Sequence, residues 1–91
     1  MTTSTAIAIT GNFIQRIPTP KGLTDFSFLR KTSVLSDKYF VLAMDTNFKP
    51  IWFSMEVRND KWVIIDALKV PKWISNIEDR LSETIVLHNL I

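Results

Sequence analysis

The pattern of hydrophobic and polar positions is most regular between residues 51 and 68. From residue 51 to residue 58 apolar side chains recur at every second position, which is the period of a strand with one buried face. Asn59 and Asp60 follow, and both residue types tolerate the positive φ that a two-residue type I′ turn requires. Residues 61–68 are therefore predicted to return as the partner strand. The predicted register pairs Arg58 with Lys61, Val57 with Trp62, Glu56 with Val63, Met55 with Ile64 and Ser54 with Ile65.

This register divides the side chains of the hairpin between two faces, because partners across an antiparallel pair lie on the same side. The face expected to form the core carries Phe53, Met55, Val57, Trp62 and Ile64. The other face carries Trp52, Ser54, Glu56, Val63, Ile65 and the like-charged pair Arg58 and Lys61. Because this second face mixes an indole ring and aliphatic groups with charges, we expect a helix or a partner protein to cover it.

Three earlier segments also have strand patterns. Residues 7–17 alternate with period two, and the two prolines that follow are expected to end the strand and make residues 17–22 the longest loop. Residues 26–35 predict a second strand with less clearly separated faces. Residues 39–44 are apolar at every position, which is typical of a central strand covered on both faces.

An amphipathic helix is predicted over residues 72–85. The apolar positions Ile74, Ile77, Leu81, Ile85 and His88 fall within an arc of roughly 80° on a helical projection. Two starts fit the sequence, since Pro71 suits a first helical turn and Ser75 with Glu78 matches a capping box. Val86, Leu87 and Leu90 break the stripe, so residues 86–91 form a short last strand, a further helical turn in contact with a partner, or both in different states, and we favour helix.

These elements predict an α+β fold in which an antiparallel sheet of four to five strands packs against one C-terminal amphipathic helix. The sheet is expected to be a meander that contains the hairpin 51–58/61–68. A chain of 91 residues suits a single domain over residues 1–91, because either half alone would be too small to bury a core. The Ser- and Thr-rich residues 1–5 are expected to be frayed.

The composition excludes several classes of site. The chain has no cysteine, which excludes disulfides, zinc–thiolate sites and thiol nucleophiles. Its two glycines argue against a phosphate-binding loop, which uses several. No apolar run approaches the roughly 18 residues of a membrane span, and the first residues do not resemble a secretory signal. We therefore expect a soluble, cytoplasmic protein that does not bind membranes.

Two titratable residues are candidates for chemistry, and each has a simpler structural explanation. His88 could act as a general base only with an orienting carboxylate and a pocket, whereas a histidine at a helix end commonly interacts with the helix dipole. Asp66 falls opposite Phe53 on the core face, where a buried carboxylate can mark a functional site. At the end of a strand it more often forms part of a turn. The sequence therefore assigns no catalytic residue, no metal ligand and no cofactor.

Unpartnered apolar positions lead to the functional prediction. We expect a small non-enzymatic protein–protein interaction module that forms a homodimer or serves as a subunit of a larger assembly. The predicted partner-binding residues are Trp52, Val63 and Ile65 on the second face of the hairpin and Val86, Leu87 and Leu90 near the C-terminus.

Single-stranded nucleic-acid binding is the alternative prediction. Indole rings that stack on bases and cations that contact phosphates are how sheets bind single strands. The candidate residues are Trp52, Arg58, Lys61, Lys69, Lys72 and Trp73. Glu56 lies among them, and the net charge is only +2, from eleven basic and nine acidic side chains. This near balance makes the alternative the weaker of the two.

Overall fold

The computed structural model describes residues 12–32, 37–44 and 47–89. Five antiparallel strands form one sheet in sequence order: β1 (Phe13–Thr19), β2 (Gly22–Thr32), β3 (Asp37–Met44), β4 (Pro50–Arg58) and β5 (Lys61–Ile64). A 3₁₀ turn (Ala67–Lys69), a short helix α1 (Lys72–Ser75) and a longer helix α2 (Glu78–Asn89) follow. The predicted α+β class and meander therefore agree with the structure. None of the helices in these ranges has the length and apolar character needed to cross a membrane.

The β4–β5 hairpin has the predicted register. Asn59 and Asp60 have φ angles of 54° and 66°, so both adopt the left-handed conformation of a type I′ turn. Four of the predicted residue pairs are present, and the N–H of Ile65 donates to the carbonyl of Ser54 at 2.9 Å at the fifth. The predicted end at residue 68 is wrong, because the left-handed φ of 56° at Asp66 turns the chain into the 3₁₀ turn.

The predicted loop over residues 17–22 is also wrong, since β1 continues through Pro18 to Thr19. Pro18 lies opposite Leu23, at a position where the backbone nitrogen points away from β2. Its missing N–H therefore breaks no bond of the ladder, as is usual for proline in an edge strand. Gly22, with a φ of 101°, completes the tight turn that replaces the loop.

Several predicted segments extend beyond the described residues. These are residues 1–5, residues 7–11 of the first predicted strand, residues 33–35 of the second, and residues 90–91. Within the described part, β2 begins at Gly22, four residues before the predicted start at Phe26. The earlier start follows from the tight turn, because β2 pairs with β1 from its first residue.

One face of the sheet carries the core. Its buried strand residues are Ile17, Phe26, Phe28, Tyr39, Val41, Ala43, Phe53, Met55, Trp62 and Ile64. Ile74 of α1 and Leu81 and Ile85 of α2 are fully buried in the same cluster. Val57 was expected in this core but is 49% exposed, because it lies at the turn end of the hairpin.

The single helix predicted over residues 72–85 is interrupted at residues 76–77. The start predicted at Pro71 occurs, whereas the second helix begins at Glu78 and not directly after Ser75. The capping box between Ser75 and Glu78 does not form. Instead, Oε2 of Glu78 accepts the backbone N–H of Ile64 at 2.8 Å. The helical continuation that we favoured is present as far as Asn89, the last described residue.

Side chains of α2 close the free edge of β5. The hairpin register points the N–H groups of Trp62 and Ile64 away from β4. Oγ of Ser82 accepts the Trp62 N–H at 2.9 Å, and Glu78 accepts that of Ile64. An unpaired strand edge invites pairing with other chains, so these two bonds remove β5 as a site for such pairing.

The C-terminal end of α2 reaches the opposite edge of the sheet, at β1, on the same core face. The hydroxyl of Tyr39 donates to Oδ1 of Asn89 at 3.1 Å. The ring of His88 stacks on Phe13 of β1 with centroids 3.7 Å apart, and Phe13 stacks in turn on Phe28. Helix α2 therefore crosses the core face from β5 to β1.

We predict that Ser82→Ala lowers the free energy of unfolding by about 2 kcal/mol, because it leaves the buried Trp62 N–H without an acceptor. Ser75→Ala is the matched control, since Oγ of Ser75 makes only an exposed bond of 3.3 Å to the carbonyl of Lys72. Both changes remove a hydroxyl group from a helical serine. Urea denaturation of the two variants measures the difference, and equal stabilities would contradict the role given to Ser82.

The buried hydroxyl of Tyr39 predicts a decline of stability at alkaline pH. Burial raises the pKa of Tyr39 above its ordinary value of 10.0, so only the unfolded chain releases this proton just above pH 10. The contribution of the protonated Tyr39 hydroxyl to the free energy of unfolding is therefore fully present below that pH. It is lost as the pH rises through the folded-state pKa.

Tyr39→Phe keeps the ring and removes the titrating group. We expect it to lose about 1 kcal/mol at neutral pH with the bond to Asn89, and to decline less steeply than the wild type above about pH 10. Urea denaturation across this pH range measures both effects. Parallel pH profiles would show that Tyr39 does not contribute to the alkaline decline.

Candidate interaction surface

The face of the sheet opposite the core, here called the outer face, is rich in apolar side chains. The strand register assigns to it Ile14, Leu23, Leu29, Phe40, Leu42, Met44, Trp52 and Val63. Leu42 lies directly across from Trp52, and Phe40 lies directly across from Leu29. These four residues form the centre of the outer face.

The prediction that residues 39–44 are covered on both sides is wrong. Tyr39, Val41 and Ala43 are buried, whereas Phe40 and Met44 on the outer face are 37% and 45% exposed. Both described helices contribute their buried residues to the core face. No described element covers the outer face.

Charged side chains lie toward the two ends of the outer face, and most of them pair within the chain. At one end Glu56 contacts Nζ of Lys38 at 3.2 Å and a guanidinium nitrogen of Arg58 at 3.8 Å. At the other end Nε of Arg16 lies 2.9 Å from Oδ1 of Asp25. The hydrogen bond from Arg16 lowers the pKa of the Asp25 carboxyl and raises that of the guanidinium. The centre of the face remains uncharged.

Three of the predicted partner-binding residues belong to this surface. Trp52 is 58% exposed, and Val63 is half-buried on β5, opposite Glu56 and on the same face as Trp52. Ile65 is half-buried just beyond the end of β5, opposite Ser54. The structure therefore brings Trp52, Val63 and Ile65 together on one side of the sheet.

The remaining predicted partner-binding residues lie elsewhere. Val86 and Leu87 are exposed on α2, which packs on the core face, so they lie on the opposite side of the molecule from Trp52. Leu90 is outside the described residues. The six predicted residues do not form one continuous surface.

The residues of the nucleic-acid alternative are divided in the same way. Trp73 packs against the core from α1, on the other side of the sheet from Trp52. Nζ of Lys61 lies 2.7 Å from Oδ1 of Asp79, and Arg58 contacts Glu56. Lys69 and Lys72 are exposed in the 3₁₀ turn and α1. Trp52 and Arg58 share the outer face, and the others lie at its edge or behind it.

The two titratable candidates occupy ordinary structural positions. Asp66 is exposed in the turn after β5, so its predicted placement on the core face is wrong. His88 is half-buried and lines a cleft of about 240 Å³ with Gln15, Thr84 and Leu87. Within the described ranges, no three His, Asp or Glu side chains cluster closely enough to hold a metal ion.

Sequence reasoning missed much of the outer face. Ile14, Leu29, Phe40 and Met44 were not among the predicted partner-binding residues. The sequence feature that could have revealed these residues is the unbroken apolar run 39–44. Such a run occurs both in a strand covered on two faces and in a strand with one exposed apolar face.

Comparison of the chain with models of protein families, with curated proteins and with solved structures gives no match in any of the three. The functional argument therefore depends on the geometry of the outer face.

Proposed function

We propose that this chain is a non-enzymatic protein–protein interaction module that associates with a second copy of itself through the outer face. The observation that carries the proposal is the group of exposed apolar side chains at the centre of that face, with Trp52 the largest. Single exposed apolar residues are common on monomers, but a contiguous group with a charged rim is typical of a docking surface.

The layering of the fold supports this proposal. A sheet that is apolar on both sides needs a layer against each side. The described helices supply one layer, on the core face. A second sheet packed face to face supplies the other in β-sandwiches, with the two inner faces about 10 Å apart. A second copy of this chain provides such a sheet with the same apolar centre.

The size of the outer face suits a dimer. Five strands spaced about 4.8 Å apart, each with about seven residues in the sheet, present a face of roughly 550 Å². Two such faces bury roughly 1,100 Å², which is slightly above the ~1,000 Å² expected of a specific interface. The estimate predicts a dimer of moderate affinity, because buried area near this lower limit leaves little surplus over the loss of rotational and translational freedom.

The charges of the outer face do not oppose this contact. Lys38, Glu56 and Arg58 already pair within one copy, as do Arg16 and Asp25. Burying such pairs near the rim avoids the larger desolvation penalty of an isolated charge. Lys31 is not in any of these pairs, and its Nζ lies 6.0 Å from the centroid of the Phe40 ring. The uncharged centre then supplies the favourable apolar contact.

Single-stranded nucleic-acid binding has less support. Phe40 and Trp52 offer exposed rings, and Nζ of Lys31 lies 6.0 Å from the centroid of Phe40. Of the remaining cations near the outer face, Lys38 and Arg58 share Glu56, so their charge is partly neutralised. Because binding of single strands depends strongly on phosphate contacts, we retain this function only as an outcome of the test below.

Trp52→Glu is predicted to weaken association through the outer face by at least about 30-fold, the effect of removing an interface residue that contributes 2 kcal/mol. Sedimentation equilibrium over a range of protein concentrations measures it. Leu68→Glu is the matched control, because Leu68 is fully exposed on the 3₁₀ turn, away from the outer face. We expect this variant to associate like the wild type.

Two results would contradict the proposal. One is a wild-type chain that stays monomeric at millimolar concentration, and the other is equal weakening by Trp52→Glu and Leu68→Glu. Titration with a single-stranded oligonucleotide at low salt tests the alternative. Binding that falls with Trp52→Ala and with added salt would assign the outer face to nucleic acid instead.

A further inference from the structure

The outward N–H groups at the two edges of the sheet differ in their hydrogen bonding. At β5, Ser82 and Glu78 accept the outward N–H groups, as described above. At β1, the register with β2 directs the N–H groups of Ile14 and Arg16 away from the sheet. Within the described ranges, the only hydrogen bond to an outward backbone group of Ile14 or Arg16 is a long one of 3.4 Å, from the side-chain amide of Gln15 to the carbonyl of Arg16. In the part of the chain that the structure describes, the β1 edge is therefore open, whereas the β5 edge is closed.

Two depressions of the described surface also include side chains of β1. A groove of about 450 Å³ lies at the start of the strand, lined by Asn12, Phe13, Ile14, Ser27, Phe28 and Leu29. The cleft formed by Gln15, Thr84, Leu87 and His88 lies on the core side. Leu87 is 57% exposed beside this cleft. An open edge with apolar depressions next to it is the arrangement used for strand addition.

We propose that β1 pairs with β1 of a second copy, antiparallel and centred on Gln15, so that two sheets become one continuous sheet. In this register Ile14 of each copy exchanges two backbone hydrogen bonds with Arg16 of the other. Gln15 lies opposite the same residue of the second copy, on the twofold axis. The contact uses a different surface from the outer face and does not depend on the proposed function.

The sequence of β1 is compatible with pairing to itself. The twofold places Phe13 opposite Ile17 of the second copy and Ile14 opposite the aliphatic part of Arg16. No like charges face each other, and each Arg16 retains Asp25 of its own chain as a partner. Pro18 lies just outside the paired stretch, so its missing N–H limits the contact to residues 13–17.

The absence of cysteine from the chain allows a direct test. In the proposed register the two Gln15 Cα atoms form a pair without backbone hydrogen bonds, about 4.5 Å apart, which is within the range for a disulfide. Mild oxidation of the full-length Gln15→Cys variant is expected to yield a covalent dimer. Arg16→Cys is the register control. In the proposed register residue 16 lies opposite residue 14 of the second copy, so the two introduced cysteines are too far apart to form a disulfide.

A second comparison removes the backbone donor without changing the cysteine. Arg16→Pro deletes an N–H that points away from β2, whereas Arg16→Ala removes the same side chain and keeps the donor. In the Gln15→Cys background we expect Arg16→Pro to reduce dimer formation about tenfold relative to Arg16→Ala. Circular dichroism of both variants verifies that the fold is retained.

The outcomes separate this contact from the one through the outer face. Gln15→Cys should still cross-link when combined with Trp52→Glu if the edge contact forms independently. Failure of Gln15→Cys to cross-link, or equal cross-linking by Arg16→Cys, would overturn the edge pairing and leave the outer-face proposal intact. Equal dimer yields from Arg16→Pro and Arg16→Ala would likewise overturn it, because the backbone donor would then have no role.

Discussion

The two-residue turn at Asn59 and Asp60 is the constraint on which the rest of the structure depends. Both residues have positive φ, and this geometry permits one register between β4 and β5. A shift by one residue would exchange the two faces, placing Trp62 in solvent and Val63 inside. The same register points the outward N–H groups of β5 toward α2, where Ser82 and Glu78 accept them. The turn therefore positions both the core and the helix.

One helical layer is enough for one face of the sheet. Ile74, Leu81 and Ile85 complete the core against aromatic side chains of β2, β3 and β5. The described helices leave the outer face uncovered. Among the described residues, the β1 edge likewise has no partner strand on its outer side. Association with a second copy would use both surfaces without any additional element.

The sequence-based predictions succeeded where local geometry decides the outcome. The hairpin register follows from the alternation of residues 51–58 and from the turn residues, so it could be deduced without the remaining strands. The prediction of a loop over residues 17–22 failed because a proline interrupts a strand only where the pairing needs a backbone N–H at that position. The backbone nitrogen of Pro18 points away from β2 because of the register between the two strands, and it meets no other strand because β1 lies at the edge. The local sequence specifies neither the register nor the edge position.

The sequence by itself determined the α+β class, the meander, the pairing across Asn59 and Asp60 and the helical character of residues 78–85, because these depend on periodicity and turn chemistry. Only the tertiary structure decided which apolar residues are covered. Phe40 and Val41 are equally hydrophobic neighbours in sequence, yet Val41 is buried and Phe40 is partly exposed, because the described helices pack on one side of the sheet. Burial is a property of the packed layers, so the candidate site could be only partly predicted from the order of residues.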